Sequence, residues 1–225
     1  MIDALEGRMR SVSSFVTFAF AACCAPAIGA QTSPAVTPHA MSFVCDGLDV
    51  IARTTQAGIE LTLPDRRVVL PPAPSGTADE YQEGDITFRR RGDQADVEIG
   101  GTAYSNCSFN AERSGWDDAK LRGISFRAVG RAPGWSLELD DQRSNEISVV
   151  FADGRSVALP TPTPVVAGTR VTYKASSRDF TLAIETASCR DPVSGESLSE
   201  TVALRLDGVE YRACGRWLQR GQHGY

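Results

Sequence analysis

Residues Ser75–Cys107 read SGTADEYQEGDITFRRRGDQADVEIGGTAYSNC and contain the signals that set the fold. Within this stretch, Asp85–Arg90, Ala95–Ile99 and Thr102–Ser105 alternate apolar and polar residues, which is typical of half-buried strands. Gly100-Gly101 fits a two-residue hairpin turn between the last two of them. The stretch therefore predicts antiparallel strands, preceded by a loop of small hydroxyl residues and closed by a cysteine.

Short alternating segments continue on both sides of this stretch. Before it the sequence predicts strands at Met41–Cys45, Leu48–Thr54, Gly58–Leu63 and Arg67–Leu70. After a polar, helix-permissive connection at residues 109–121, it predicts Ile124–Val129, Trp135–Leu139, Glu146–Phe151, Ser156–Leu159, Arg170–Ala175, Phe180–Thr186, Thr201–Leu206 and Val209–Ala213.

Turn signals and prolines divide these segments in the same way in each half. Asp153-Gly154 and Asp207-Gly208 favour tight hairpins, and proline runs at residues 71–74 and 161–164 predict a break in each half. We predict an all-β protein with two small antiparallel β-barrel-like domains, residues 41–112 and 113–219, each with one disulfide. A flexible tail is expected at residues 220–225.

The first thirty residues have the features of a signal peptide. Arg8 and Arg10 precede the apolar run VSSFVTFAFAA at residues 12–22, and Ile28-Gly29-Ala30 offers a small-residue cleavage site before Gln31. The apolar run is too short to cross a bilayer as a helix. We therefore expect an exported, periplasmic protein with a disordered linker at residues 31–40.

A second processing route stays open at Cys23. The segment Phe20-Ala21-Ala22-Cys23 resembles a bacterial lipobox with an aromatic residue in its first position. Lipidation of Cys23 would anchor the protein to the membrane, whereas cleavage after Ala30 would release it in soluble form. Both routes place the protein outside the cytoplasm.

Charge and composition exclude several classes of function. The net charge of -5 disfavours nucleic acid as a partner. The only histidines, His39 and His223, lie in the terminal tails, and no CxxC pair is present, so the sequence predicts no metal and no other cofactor. A serine or cysteine nucleophile would also lack a base, and we predict that the protein is not an enzyme. A pair of carboxylates for glycoside cleavage stays open, without positive support.

Four cysteines remain after export, namely Cys45, Cys107, Cys189 and Cys214. An even number in an oxidising compartment predicts disulfides, and four cysteines allow three pairings. The pairing between sequence neighbours, Cys45 with Cys107 and Cys189 with Cys214, gives each half one bridge. Each bridge would contribute about 3–4 kcal/mol by the loop-entropy argument.

The first half resembles the bacterial inhibitors of C-type lysozyme, over residues 41–109. The resemblance rests on six features in order and spacing: FVCDG at 43–47, LxLPD at 61–65, Sx[ST][GA]xxY at 75–81, GxxxF at 84–88, Arg91-Gly92-Asp93 with Ala95, and the closing Cys107. Membership of that family implies an eight-stranded antiparallel barrel and a protein that inhibits by binding.

The resemblance also implies which residues meet the partner. In the family, a loop serine before a glycine and a lysine before a later glycine enter the lysozyme cleft, and the matching positions are Thr77 and Arg91. Ser75 belongs to the same loop, and Tyr81 is expected to anchor it. Ala78 stands where the family has glycine, so this loop departs from the family pattern.

The second half resembles an uncharacterised bacterial envelope domain, through GWSLE at 134–138, a CRDxxSG segment at 189–195 and LDGxxYxxCG at 206–215. No activity follows from that likeness. We expect an inhibitor of C-type lysozyme that acts in the cell envelope. The alternative is a non-inhibitory envelope binding or structural module that keeps the barrel.

Overall fold

The computed structural model of the chain describes residues 40–74, 79–131, 134–191 and 194–219. Two antiparallel, barrel-like sheets and one short helix, with one disulfide in each sheet, confirm the predicted all-β fold class. The elements are β1 (Ala40–Cys45), β2 (Leu48–Thr55), β3 (Gly58–Thr62), β4 (Arg67–Leu70), β5 (Glu80–Glu83), β6 (Ile86–Arg91), β7 (Gln94–Ile99), β8 (Thr102–Phe109), α1 (Ala111–Leu121), β9 (Phe126–Arg131), β10 (Gly134–Asp140), β11 (Glu146–Phe151), β12 (Ser156–Pro160), β13 (Val165–Ala167), β14 (Arg170–Ala175), β15 (Phe180–Arg190), β16 (Ser197–Leu206) and β17 (Val209–Trp217).

The described residues all belong to one compact unit, residues 37–225. Whether residues 41–112 and 113–219 fold as independent domains stays a prediction. The first strand begins at Ala40, so the predicted linker is one residue too long. The signal peptide, Cys23, the rest of the linker and the tail at 220–225 lie outside the described residues.

The first sheet has eight strands in the order β4-β3-β2-β1-β8-β7-β6-β5. Its two edges meet at an antiparallel bridge between Pro72 and Tyr81. The backbone N–H of Ala73 donates to the oxygen of Glu80 at 2.9 Å, and that of Gln82 donates to Pro71 at 3.0 Å. The bridge closes the sheet into a barrel.

The strands are interrupted at residues 71–74 as expected, since β4 ends at Leu70 and β5 begins at Glu80, but the proline run also takes part in closing the barrel. Pro72 occupies a bridge position at which the two hydrogen bonds come from Ala73 and Gln82, so its missing N–H costs no bond. The proline run contributes the closing contact of the barrel.

The barrel interior is filled by apolar side chains from alternate strand positions. Phe43 and Phe88 meet edge to face, with ring centroids 5.7 Å apart. The disulfide between Cys45 and Cys107 joins the end of β1 to β8 beside this core, and both sulfur-bearing residues are buried. The fully or almost fully buried members are Phe43, Val50, Ala52, Ile59, Leu61, Leu70, Phe88, Val97 and Cys107.

A glycine in this barrel offers a sharp test of the backbone path. Gly58 has φ of +135°, and a Cβ there would lie 2.1 Å from the carbonyl oxygen of Leu70. We expect Gly58→Ala to lower the free energy of unfolding by about 2–3 kcal/mol, from backbone strain plus that overlap. Gly47→Ala is the matched control, since Gly47 has φ of +81° with open space around it, and should cost about 1 kcal/mol. Equal losses in urea unfolding would contradict the account.

The second sheet repeats the connectivity of the first with one strand more, in the order β12-β11-β10-β9-β17-β16-β15-β14-β13. Its core includes Phe126, Leu137, Leu139, Ile147, Tyr173, Phe180, Leu182 and Leu204. The disulfide between Cys189 and Cys214 joins β15 to β17. Both disulfide pairings predicted from the sequence are confirmed.

The helix α1 connects the two sheets, at the place where the sequence predicted a helix-permissive connection. Asn110 caps its first turn by accepting a hydrogen bond from the N–H of Arg113 at 2.9 Å. On the side of the first sheet, Ser114 accepts a bond from the N–H of Ser42 at 2.8 Å, and Asp118 accepts one from the N–H of Ala40 at 2.8 Å.

Candidate functional site

The candidate site lies at the end of β6, where three arginines run into a tight turn. Gly92 and Asp93 form the two-residue turn between β6 and β7, and Arg91 pairs with Gln94 across it. Gly92 has φ of +63°, which a glycine adopts at low cost. The N–H of Phe109 donates to the oxygen of Asp93 at 2.8 Å, so the turn is also held by the adjacent strand β8.

The three arginines have different surroundings. Arg89 donates to Glu80 across the strand pair at 2.7 Å, and this hydrogen bond raises the pKa of Arg89 and lowers the pKa of Glu80. The Nε of Arg90 donates a hydrogen bond to the backbone oxygen of Gly92 at 2.9 Å. Both guanidinium groups are therefore used within the barrel itself.

Arg91 is the least constrained of the three. Its side chain is 70% exposed, and its nearest acidic partner, Asp96, lies at 3.6 Å. At that distance the pair is an ion pair in solvent, and such pairs hold a side chain weakly. The structure thus gives Arg91 a fixed backbone position on a closed barrel and a guanidinium that can bind elsewhere.

The predicted loop residues Ser75 and Thr77, with Ala78, lie outside the described residues. The residue that follows them is held in place, because the N–H of Arg90 donates to the oxygen of Asp79 at 2.9 Å. The base of the loop is therefore joined to β6 one residue before Arg91.

Tyr81 lies in β5, one residue from the Glu80 contact, and it forms the closing bridge with Pro72. Its partly buried ring packs against the core of the first barrel. Its role as an anchor for the loop stays a prediction. Its place among the partner-binding residues stays a prediction.

The sequence did not reveal the acidic residues that contact the arginines and decide which guanidinium group is available. Glu80 was read as part of a loop, yet it stands opposite Arg89 in the β5–β6 pair. Asp96 follows the turn and alternates with buried Ala95 and Val97, which places it on the outer face with Arg91. Arg89 has an acidic residue directly across from it on each side, Glu80 in β5 and Asp96 in β7, whereas Arg91 stands opposite Gln94 and reaches Asp96 only diagonally.

No group of three or more Asp, Glu, Cys or His side chains within the described ranges is arranged to hold a metal ion. Across the same part of the chain, no helix has the length and apolar character needed to cross a membrane. Compared with models of protein families and with curated proteins, the chain matches none.

Proposed function

We propose that the protein inhibits C-type lysozyme in the bacterial cell envelope, with Arg91 and the loop at residues 75–78 entering the active-site cleft of the enzyme. One observation carries the proposal: Arg91 is exposed and weakly paired at the end of β6, beside the base of that loop. The closed eight-stranded barrel supports it, because it matches the architecture that the sequence resemblance implies.

The chemistry of the target favours a cation at this position. A C-type lysozyme cleaves its substrate between two carboxyl groups, of which one is kept protonated and the other ionised. A guanidinium placed between them would form charge-assisted hydrogen bonds with the ionised carboxylate. The hydroxyl of Thr77 would bond to the protonated group, and together they would occupy the substrate subsite.

A rigid scaffold makes such a contact efficient. The backbone of β6 is held by β5 on one side and β7 on the other, and the turn is bonded to Phe109. On this part of the surface, binding then immobilises the Arg91 side chain on a backbone that is already fixed, which limits the loss of conformational entropy. Inhibition by obstruction needs no catalytic group.

Net charge supports the encounter between the two proteins. The protein carries a formal charge of -5, and the C-type lysozymes are basic, so long-range attraction speeds association. Arg91 would be the local exception that enters the acidic cleft. The association rate should fall as salt is added, because exposed charges are screened.

The test is lysis of peptidoglycan by a C-type lysozyme in the presence of residues 31–225, which contain the whole compact unit at 37–225. We expect inhibition at micromolar protein or below. An amidase acting on the same substrate is the control, because it should be unaffected if the target is the lysozyme and not the peptidoglycan. Full lysis at micromolar protein would refute the proposal and leave the non-inhibitory envelope module.

A further inference from the structure

A pocket of about 310 Å³ is lined by residues of the second sheet and its β13–β14 turn, and none of its described lining residues belongs to the first barrel. Its walls include Val171 from β14, Ile184 from β15, Glu200 from β16 and Trp217 from β17. We propose that this pocket binds a small organic amine, with an ammonium group at Glu200 and an apolar body against Trp217, Val171 and Ile184.

Glu200 stands at a position where the strand pattern calls for an apolar residue. Val202, Leu204 and Leu206 follow it at alternate positions of β16, and all are buried in the core. Glu200 continues this inward series and is only 5% exposed. A carboxylate buried to this extent is costly to the fold unless a partner compensates it.

No such partner is present among the described residues. Glu200 forms no hydrogen bond or ion pair with any side chain of the described ranges, and its cross-strand neighbours are Thr186 and Gly215. Gly215 has no side chain to offer. Glu200 lines the pocket, so the partner of its carboxylate has to come from water or from a ligand in the pocket.

The rest of the lining decides the chemistry of that ligand. Among the described residues around the pocket, none is lysine or arginine, so the carboxylate gives the pocket a negative charge. An anion would be repelled, and a neutral molecule would leave the charge unpaired. An ammonium group would form a charge-assisted bond with Glu200 and could also lie against the indole of Trp217.

The apolar walls set the second requirement. Val171 and Ile184 belong to the core of the sheet, and the ring of Trp217 packs 4.8 Å from that of Phe126. The indole is thus held from behind and presents a fixed surface to the pocket. An amine carried on a ring or a short aliphatic body would bury apolar area there that inorganic cations do not have.

A set of three probes with one ring and different charges tests the proposal. Benzylamine, benzyl alcohol and benzoate are titrated into residues 31–225 by calorimetry. We expect benzylamine to bind at least tenfold more tightly than benzyl alcohol, and benzoate not to bind. Glu200→Gln should lower the affinity for benzylamine at least tenfold and leave that for benzyl alcohol unchanged.

Glu185→Gln is the matched control variant. Glu185 lies on the neighbouring strand β15, is 41% exposed and pairs with Arg170 at 2.6 Å, so it should not affect binding. Similar affinities for benzylamine and benzyl alcohol, or unchanged benzylamine binding in Glu200→Gln, would overturn the proposal. Loss of lysozyme inhibition would not, because that test concerns residues of the other sheet.

A measurement on the unaltered chain covers the case in which a variant does not fold. The protein has three tryptophans, and each gives one indole N–H signal in a proton–nitrogen NMR spectrum. Benzylamine should shift the signal of Trp217, assigned with Trp217→Phe, and leave those of Trp116 and Trp135 in place. Absence of a shift at Trp217 with saturating benzylamine would overturn the proposal.

Discussion

Replacing Arg91 with alanine should weaken the inhibition of C-type lysozyme by about 100-fold or more, measured as the change in inhibition constant. Truncating one partner of a buried, hydrogen-bonded charge pair at an interface costs about 2–5 kcal/mol, and 100-fold corresponds to ~3 kcal/mol. The stability of the free protein should change little, because the Arg91 side chain is 70% exposed and its ion pair with Asp96 is long.

Arg66→Ala is the matched control for this experiment. Arg66 is also exposed, with a side chain 49% accessible, and it also has one weak acidic partner, Asp65 at 3.8 Å. The antiparallel order of the strands puts the β3–β4 turn that carries Arg66 at the opposite end of the barrel from Arg91. Similar effects of both substitutions would mean that the protein acts through its overall charge.

Two further variants locate the contact. Thr77→Ala should weaken inhibition less than Arg91→Ala. A hydrogen bond between a hydroxyl and a neutral carboxyl group contributes less binding free energy than a charge-assisted hydrogen bond. Arg89→Ala should weaken it mainly through the loss of the Glu80 pair that ties β5 to β6. If Arg89→Ala weakened inhibition more than Arg91→Ala, the contact with lysozyme would be centred on Arg89 instead of Arg91.

The strands and their order could be predicted because local signals agree with the final fold. Asp153-Gly154, Asp207-Gly208 and Gly100-Gly101 each form the turn between neighbouring strands of a sheet. Asp207 and Gly208 have φ of 51° and 82°, the left-handed values that a tight hairpin demands. The preference for a tight turn depends on two adjacent residues, so it can be recognised from a single sequence.

The strands that were missed depend on contacts far along the chain. β5, with the sequence EYQE, has no apolar alternation, and its pairing with β6 and its bridge at Pro72 define it. β13 is exposed at all three positions and lies at the edge of its sheet. Neither strand contributes a row of buried side chains. The periodic spacing of apolar residues therefore cannot reveal these strands in the sequence.

The candidate site was predictable only in part, for the same reason. The place of Arg91 before a tight turn follows from Gly92-Asp93 in the sequence. Which of the three arginines is available depends largely on Glu80 and Asp96, whose carboxylates become neighbours of the arginines when β5, β6 and β7 pair. Those contacts belong to the register of the sheet.

The surroundings of α1 show the same limit more strongly. From sequence alone, residues 109–121 were a polar connection, and polar residues there suggest solvent. In the structure, Trp116 and Asp118 are buried, and the guanidinium groups of Arg127 and Arg216 lie over the Trp116 ring at 5.6 and 4.5 Å from its centroid. The side of α1 that carries Ser114, Trp116 and Asp118 is therefore an internal surface of the protein.

Removing the carboxylate of Glu138 should therefore destabilise the protein strongly, by about 3–5 kcal/mol for Glu138→Ala. Glu138 accepts hydrogen bonds from Arg122, at 2.8 Å, and from Arg127, and its own side chain is 15% exposed. Burial lowers the pKa of Arg127 below its ordinary value, although the attraction to Glu138 opposes this. Without Glu138, Arg127 would be left as a buried charge without its main partner.

The loss should spread through the helix to the first sheet. Burial lowers the pKa of Arg122, but its bonds to Asp118 and Glu138 more than offset this and raise it overall. Asp118 accepts a hydrogen bond from the Nε of Arg122 at 2.7 Å. It also accepts one from the backbone N–H of Ala40, the first residue of β1, at 2.8 Å. Glu138 thus stabilises, through two further residues, the contact by which α1 holds that strand.

The free energies of unfolding of three variants, measured in urea, distinguish the loss of the Glu138 charge from the loss of its side-chain volume. Glu138→Gln keeps the length and can still accept one bond, so it should cost less than Glu138→Ala but more than the control Glu185→Ala. Glu185 pairs with Arg170 at 2.6 Å, yet both side chains are more than 40% exposed, and solvent reduces such a pair to less than about 1 kcal/mol. If Glu138→Ala cost no more than Glu185→Ala, Arg127 would have to be reached by water in the folded protein, and the buried charge cluster at α1 would not exist in solution.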